Sequence, residues 1–345
     1  MSRSFLDGVH AQPDNLVRSA SVVRAALARP VGARAAAAVE LGCLLAFGMG
    51  ASAHAAAGFA ALMRRAGRPA LAASAADLDT DSPAGLAAAY LAISQSGRSR
   101  ETVSALAAVP TTGPSAAGPS TRIALTNEPD GPLGALADTV LPLGCGPDTR
   151  VSTLSYTATL QALGLLADRV TGGPSADWAA LPSLASAALS QDVDALVATL
   201  DDVDCIDVVG SGVRVATAGA VALLLREAAH LPAAGFATRE YLHGPLETVG
   251  PRLGVLLFGS GREVPLAASL AEHGARVVLL TDAEVDPTGR HVSVLRLPAA
   301  AGLAGCVLDV LPVQLACAAL ADRAGRAIEL RHMPADTKLS GDPEP

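Results

Sequence analysis

The sequence predicts an α/β fold of two tandem, doubly wound parallel-sheet domains, preceded by an N-terminal helical arm and followed by a C-terminal tail. Three observations predict it. Continuously apolar runs such as Leu44-Leu-Ala-Phe-Gly48 and Val255-Leu-Leu-Phe258 alternate with helical stretches, as expected of parallel strands covered on both faces. Three segments recur in order: residues 44–50 with 206–212, 90–98 with 255–262, and 122–126 with 276–281, at offsets of 162, 164 and 155. With 345 residues, 50% of them hydrophobic, the chain has material for two domains, each with its own core.

Taken in order, Pro13 to about Val39 reads as the helical arm, giving a first segment of residues 1–39. The first domain, 40–200, opens with Leu41 to Met63, which carries no Asp, Glu, Lys or Arg and has the length of a membrane span. Gly48, Gly50, Ser52, His54 and Gly58 interrupt it, so a strand, a Gly turn and an Ala-rich helix are expected instead. Glu101 to Ala108 is helical, and Pro- and Gly-rich Val109 to Gly118 reads as a surface connection. Helices around Val151 to Val170 and Leu181 to Leu200 lead to the second domain, 201–330, with a helix over Ala218 to His230 and a closing helix over Pro312 to Ala324. The tail, 331–345, has no periodicity.

A net charge of −8 without a basic run argues against nucleic acid and anionic membrane partners. Aromatic residues are only 3%, too few for stacking platforms. Cys43, Cys145, Cys205, Cys306 and Cys317 form no CxxC pair and read as buried reduced thiols of a cytosolic protein, and the N-terminus has no apolar signal-peptide core. No metal or redox cofactor is implied. The 25 basic residues are 24 arginines plus Lys338, the one side chain able to act as an amine nucleophile.

Ser94-Gln-Ser-Gly-Arg-Ser99 follows an apolar strand and precedes a helix, placing three hydroxyls, an amide and free backbone N–H groups where an anion such as phosphate is favoured. Gly48-Met-Gly-Ala-Ser52 ends the first strand, and in a doubly wound sheet the two Ser-bearing ends converge on one crevice. The same turn fits a loose dinucleotide pattern with Asp77 as ribose partner, a weaker alternative. Glu227 lies in an apolar helix, where a carboxylate is costly unless paired or functional, and His243 precedes a Gly-Pro turn.

Gly48-Met-Gly-Ala-Ser52, Ile93-Ser-Gln-Ser-Gly97, Leu125-Thr-Asn127 with Ala137-Asp-Thr-Val-Leu-Pro142, Glu227 sixteen residues before His243, Glu240-Tyr-Leu-His-Gly-Pro-Leu246 and Leu311-Pro-Val-Gln-Leu315 together resemble the sugar isomerase (SIS) family. The match is to two-SIS-domain proteins related to the isomerase half of glucosamine-6-phosphate synthase. The resemblance implies flavodoxin-like domains and a sugar phosphate whose phosphate contacts Ser52, Ser94, Gln95, Ser96 and Ser99, with Gly50 and Ser152 as further substrate contacts. It implies Glu227 as the base moving a proton between C1 and C2, and Lys338 as the tail lysine forming a Schiff base. It further implies that His243 assists ring opening from the neighbouring subunit of a homodimer. The sequence departs from the synthase at Leu224 and Leu154, where lysines are expected, and places Lys338 one residue closer to Pro334. A glutaminase domain is not expected, since Ser2 follows Met1 where the synthase carries a nucleophilic cysteine. The expected activity is an aldose–ketose isomerase or amino-sugar-phosphate deaminase/isomerase, with a non-catalytic sugar-phosphate-binding protein as the alternative.

Overall fold

A computed structural model describes residues 4–80, 83–110, 120–286 and 289–339. Three helices, α1 (Phe5–His10), α2 (Gln12–Leu27) and α3 (Pro30–Leu41), form the N-terminal arm. Ser4 caps α1 through a reciprocal bond with Asp7, and Pro13 and Pro30 stand in the first turns of α2 and α3, where their missing N–H costs nothing.

The first sheet contains β1 (Leu44–Gly48), β2 (Ala70–Ser74), β3 (Ala89–Ile93), β4 (Thr121–Thr126) and β5 (Thr139–Pro142) in the order β2-β1-β3-β4-β5, all parallel. Its helices are α4 (Ala51–Arg65), α5 (Ala75–Thr80), α6 (Arg100–Ala107) and α7 (Pro132–Leu136). Most of the Pro- and Gly-rich connection expected before β4, residues 111–118, lies outside the described residues. Three helices follow: α8 (Leu154–Thr171), α9 (Leu181–Leu189) and α10 (Asp194–Leu200).

The second sheet contains β6 (Cys205–Gly210), β7 (Ala233–Ala237), β8 (Leu253–Phe258), β9 (Arg276–Thr281) and β10 (Val292–Arg296) in the order β7-β6-β8-β9-β10, again all parallel. Its helices are α11 (Val215–Leu224), α12 (Thr238–Tyr241), α13 (Glu263–Glu272) and α14 (Gly302–Arg323). Both sheets thus follow the same 2-1-3-4-5 sequence of strands. The three segment pairs that recur in the sequence form the first, third and fourth strands of each sheet.

Alternation along each strand assigns its two faces. In the first sheet Leu44, Ala46, Leu91, Ile93 and Leu125 face a central core, while Leu45, Phe47, Tyr90 and Ala92 face a smaller one under α5 and α6. In the second, Val208, Leu256, Phe258 and Leu280 face the same central core, while Val209, Val255 and Leu257 pack under α12 and α13. The central layer between the sheets is filled by α2, α4, α8, α11 and α14. The expectation of two separate cores is corrected here: the principal core belongs to both sheets at once.

The closing helix also differs from expectation. It begins at Gly302, not at Pro312, which lies inside α14. Residues 303–311 are all buried in the central layer, and their packing outweighs the hydrogen bond that a proline removes from the preceding turn. Among the described residues α14 is the one helix long and apolar enough to cross a membrane, and 89% of its most apolar window is buried within the protein.

Candidate active site

The site starts at the carboxyl end of β1. Gly50 has φ +52° and ψ −128°, a conformation that strains any L side chain, and it turns the chain directly into α4. At Gly48 a Cβ would lie 2.6 Å from the Ile93 carbonyl oxygen and 2.7 Å from Ser52 Cβ. The missing side chain therefore lets the first turn of α4, with half-buried Ser52, close against the end of β3. The next residue there is Ser94.

From Ser94 the chain runs through a tight loop into α6. The Gly97 N–H donates to the Ser94 carbonyl at 3.2 Å, and Gly97 takes φ +63°. The Gln95 carbonyl accepts from the Asn127 N–H at 3.0 Å and the Thr126 hydroxyl at 3.3 Å, fixing the loop to the end of β4. Ser94 is buried and its hydroxyl donates to Ser99 Oγ at 3.3 Å. Ser96 Oγ accepts from the Arg98 N–H at 3.3 Å. Ser99 is the N-cap of α6 yet makes no side-chain cap bond, which leaves the start of the helix without a side-chain acceptor, the situation in which an anion is favoured. Helices α4 and α6 cover opposite faces of the sheet, which makes the gap between β1 and β3 its topological switch point. The 2-1-3-4-5 order is that of flavodoxin-like sheets and not the 3-2-1-4-5-6 order of dinucleotide folds, and Asp77 is exposed on α5.

The tail crosses this loop. A single turn of 3₁₀ helix, Ala335–Thr337, leads to Lys338, whose backbone forms an antiparallel bridge with Ser99. The Leu339 N–H donates to the Arg98 carbonyl at 2.9 Å, and Arg100 Nε donates to the Asp336 carbonyl at 2.7 Å. The sole lysine is thus brought beside the serine loop, with its side chain exposed.

Glu227 enters from the second sheet. Helix α11 widens at its end into one π turn, Leu225–Ala229, which closes at His230 with φ +53°. Such turns are rare and recur at functional sites. Burial alone pushes the Glu227 carboxyl up to about 7. The residue lines two spaces. One is a cavity of about 20 Å³ shared with Ala51, Ser152, Tyr156, Leu224 and Gln314; the other is an open cleft of about 490 Å³ reaching His230 and the tail residues Glu329 to Met333. Ser152 Oγ lies 2.7 Å from Ser155 Oγ in a segment fixed by Asp148, whose carboxylate accepts from the Thr153, Leu154 and Ser155 N–H groups at 3.1, 3.2 and 2.8 Å. That carboxylate caps the start of α8 favourably for the helix dipole.

Lys338 is thus tied to Ser99, and Ser99 to Ser94, while Ala51 lines the small cavity with Ser152 and Glu227. His243 is separate: it is exposed on the turn after α12, its N–H bonded to the Glu240 carbonyl at 2.9 Å. Gln314, Asp148 and the widened turn have no individual role in the sequence-based site. Gln314 stood in the quoted Leu311–Leu315 segment, and Asp148 gave a signal only as a carboxylate shortly before a helix start.

Fold and site together define an α/β protein with a serine-rich strand-to-helix turn on one sheet and, on the other, a carboxyl raised to about 7 at the wall of a small cavity. Residues 43–169 match the family model of the SIS domain. Over 244 residues the chain is 28% identical to glutamine–fructose-6-phosphate aminotransferase [isomerizing] of Thermococcus kodakarensis, covering 65% of this chain and 39% of that protein. The chain spans about two fifths of the length of such curated relatives. The C-terminal domain of glucosamine-fructose-6-phosphate aminotransferase from Francisella tularensis superposes with a TM-score of 0.78 at 18% identity, covering 94% of this chain and 98% of that one. Tagatose-6-phosphate ketose/aldose isomerase from Escherichia coli gives a TM-score of 0.77 at 18% identity, covering 96% and 97%. These superpositions establish a shared fold.

Proposed function

We propose that the chain processes a hexose or amino-hexose phosphate by C1–C2 proton transfer, as an aldose–ketose isomerase or an amino-sugar-phosphate deaminase/isomerase. One observation carries this reading: the Glu227 carboxyl, raised to about 7, lines a small cavity with Ala51, the residue before Ser52 at the end of β1, and β1 pairs with the strand that leads to the uncapped, hydroxyl-rich start of α6. The phosphate sits against Ser52, Ser94, Gln95, Ser96 and Ser99, with Gly50 shaping the turn and Ser152 touching the sugar. Glu227 takes the proton from one carbon and returns it to the other, since a base with a pKa near the working pH exchanges protons efficiently in both directions. Lys338, as the neutral amine, adds to a ketose carbonyl and the resulting carbinolamine loses the carbonyl oxygen as water to form an imine, which withdraws electrons and acidifies the neighbouring C–H. His243 assists ring opening from the partner subunit of a homodimer.

Two experiments test these roles. Hexose and amino-hexose 6-phosphates incubated in deuterated water should lose their C2 proton signal in NMR, and Glu227→Gln should slow that exchange at least about a hundredfold. Undiminished exchange in the variant removes Glu227 as the base. Borohydride added with a keto sugar phosphate should fix a sugar mass on the peptide carrying Lys338; turnover without that adduct removes the Schiff base.

A second reading, a sugar-phosphate-binding protein without catalysis, is favoured by one observation. Leu224 is buried and lines the Glu227 cavity at the position where the related synthase pattern carries a lysine. Saturable binding of the same sugar phosphates without C2 exchange would select it.

A further inference from the structure

The two sheets share their corners as well as their strand order. At the end of β3 the Ser94 N–H donates to the Leu125 carbonyl at 3.1 Å, and at the end of β8 the Gly259 N–H donates to the Leu280 carbonyl, also at 3.1 Å. One strand further, Thr126 Oγ1 accepts from the Glu128 N–H and Thr281 Oγ1 from the Ala283 N–H, each at 3.1 Å. Gly259-Ser-Gly-Arg-Glu263 is therefore the second sheet's shorter counterpart of the serine loop, with Glu263 following Arg262 as Ser99 follows Arg98.

The two loops are filled differently. In the first, the side chains of Ser94 and Ser99 meet as two hydroxyls. In the second, position 259 has no side chain, and Glu263, the first residue of α13, extends into the room so left: a Cβ on Gly259 would lie 2.6 Å from Glu263 Oε2. Glu263 is 1% exposed, and its Oε1 accepts from the Thr238 hydroxyl at 2.5 Å. A carboxylate at a helix start is favoured for the same reason as a bound anion. Neighbouring donors are likewise taken by acids of the chain itself: Ser260 donates to Asp282, and Arg214, after β6, donates to Asp309 at 3.0 Å.

We propose that Glu263 is a built-in ligand: its carboxylate occupies, in the second sheet, the seat that the first sheet offers to a phosphate. It is also a positioning residue. Thr238 opens α12, so its bond to Glu263 fixes the start of the helix that leads to the exposed His243 turn, and Tyr241 at the other end of α12 donates to Asp207 of β6 at 3.0 Å. This corner is held with or without a sugar phosphate, and the chain takes one phosphate, at the first sheet. The inference rests on the proposed phosphate role of the serine loop and gives the second loop the opposite one, since a negative charge already seated repels a further anion.

The test follows backbone amides in a chain labelled with ¹⁵N-glycine and titrated with inorganic phosphate at constant ionic strength. In the unmodified chain the Gly97 signal should shift saturably, while those of Gly259 and Gly261 stay in place. Glu263→Ser puts at position 263 the residue type found at 99 and empties the seat, so Gly259 and Gly261 should then shift saturably as well. The thermal midpoint of this variant should fall below that of the unmodified chain. Phosphate should raise it by more than it raises the unmodified chain's, because the ion replaces the lost carboxylate as acceptor for Thr238. A merely space-filling Glu263 would give the fall without that recovery. Thr238→Val, which frees α12 but keeps the carboxylate, should leave Gly259 and Gly261 silent. Saturable shifts of Gly259 and Gly261 in the unmodified chain, a measurement that needs no variant, overturn the inference, as does a folded Glu263→Ser whose second loop ignores phosphate. A silent Gly97 beside a responsive second loop in Glu263→Ser removes the phosphate role of the serine loop and leaves that of Glu263 standing.

Discussion

At the scale of single residues, the proposed role of Glu227 as the base carries a definite pH dependence. Its carboxyl is raised from 4.5 to about 7 by burial, so below pH 7 the group is mostly protonated and is no base. C2-proton exchange should therefore climb about tenfold per pH unit toward pH 7 and level off above it. A profile flat from pH 5 to 8 would disconnect exchange from this carboxyl. Folding carries the matching signature. The folded-state pKa exceeds the unfolded one, so the stability cost of Glu227 grows between pH 4.5 and about 7 and is constant above. That much was readable in advance, because a carboxylate amid Val221-Ala-Leu-Leu-Leu225 has few reasons to be there. Gln12 and Gln314 were not readable as a pair. They meet across 302 residues, and neither amide differs locally from an ordinary helical glutamine.

At the scale of elements, the strands were the most legible part. Leu44–Gly48 and Leu253–Phe258 are apolar at every position because both faces of a parallel sheet are covered, and every residue in them is buried. Helix ends were less so. A proline usually marks a first turn, as it does in α2 and α3, but in α14 the same residue is carried through by burial on all sides. The π turn at Leu225–Ala229 is likewise silent in sequence, since its residues fit an ordinary apolar helix. Its consequence is geometric: the widened turn sets Glu227 between the small cavity near Ala51 and the open cleft toward the tail. The tail shows no periodicity because it is held through its backbone, by Arg98 and Ser99 and by the Arg100 side chain on the Asp336 carbonyl, and these bonds need no particular side chains in the tail.

At the scale of the whole molecule, hydrophobic patterning states how many faces are buried but not against what, which is why two sheets could be anticipated and their common core could not. Phe59 of α4, Val208 of β6, Tyr156 of α8 and Leu311 of α14 all belong to one cluster that reaches both sheets. Separating the sheets would uncover that layer. At about 2 kcal/mol for each large side chain exposed, four of them amount to about 8 kcal/mol, comparable with the whole stability of a typical domain. The chain should consequently unfold in urea as one unit, even though each sheet has a complete strand order of its own. Trp178, the only tryptophan, is 4% exposed and donates to Asp168 at 2.7 Å in the central layer, so its fluorescence reports on the shared core. Far-UV circular dichroism reports on both sheets and their outer helices. The two signals should trace a single transition with one midpoint, whereas a dichroism step that survives after the fluorescence has changed would mean that at least one sheet stands without the common core.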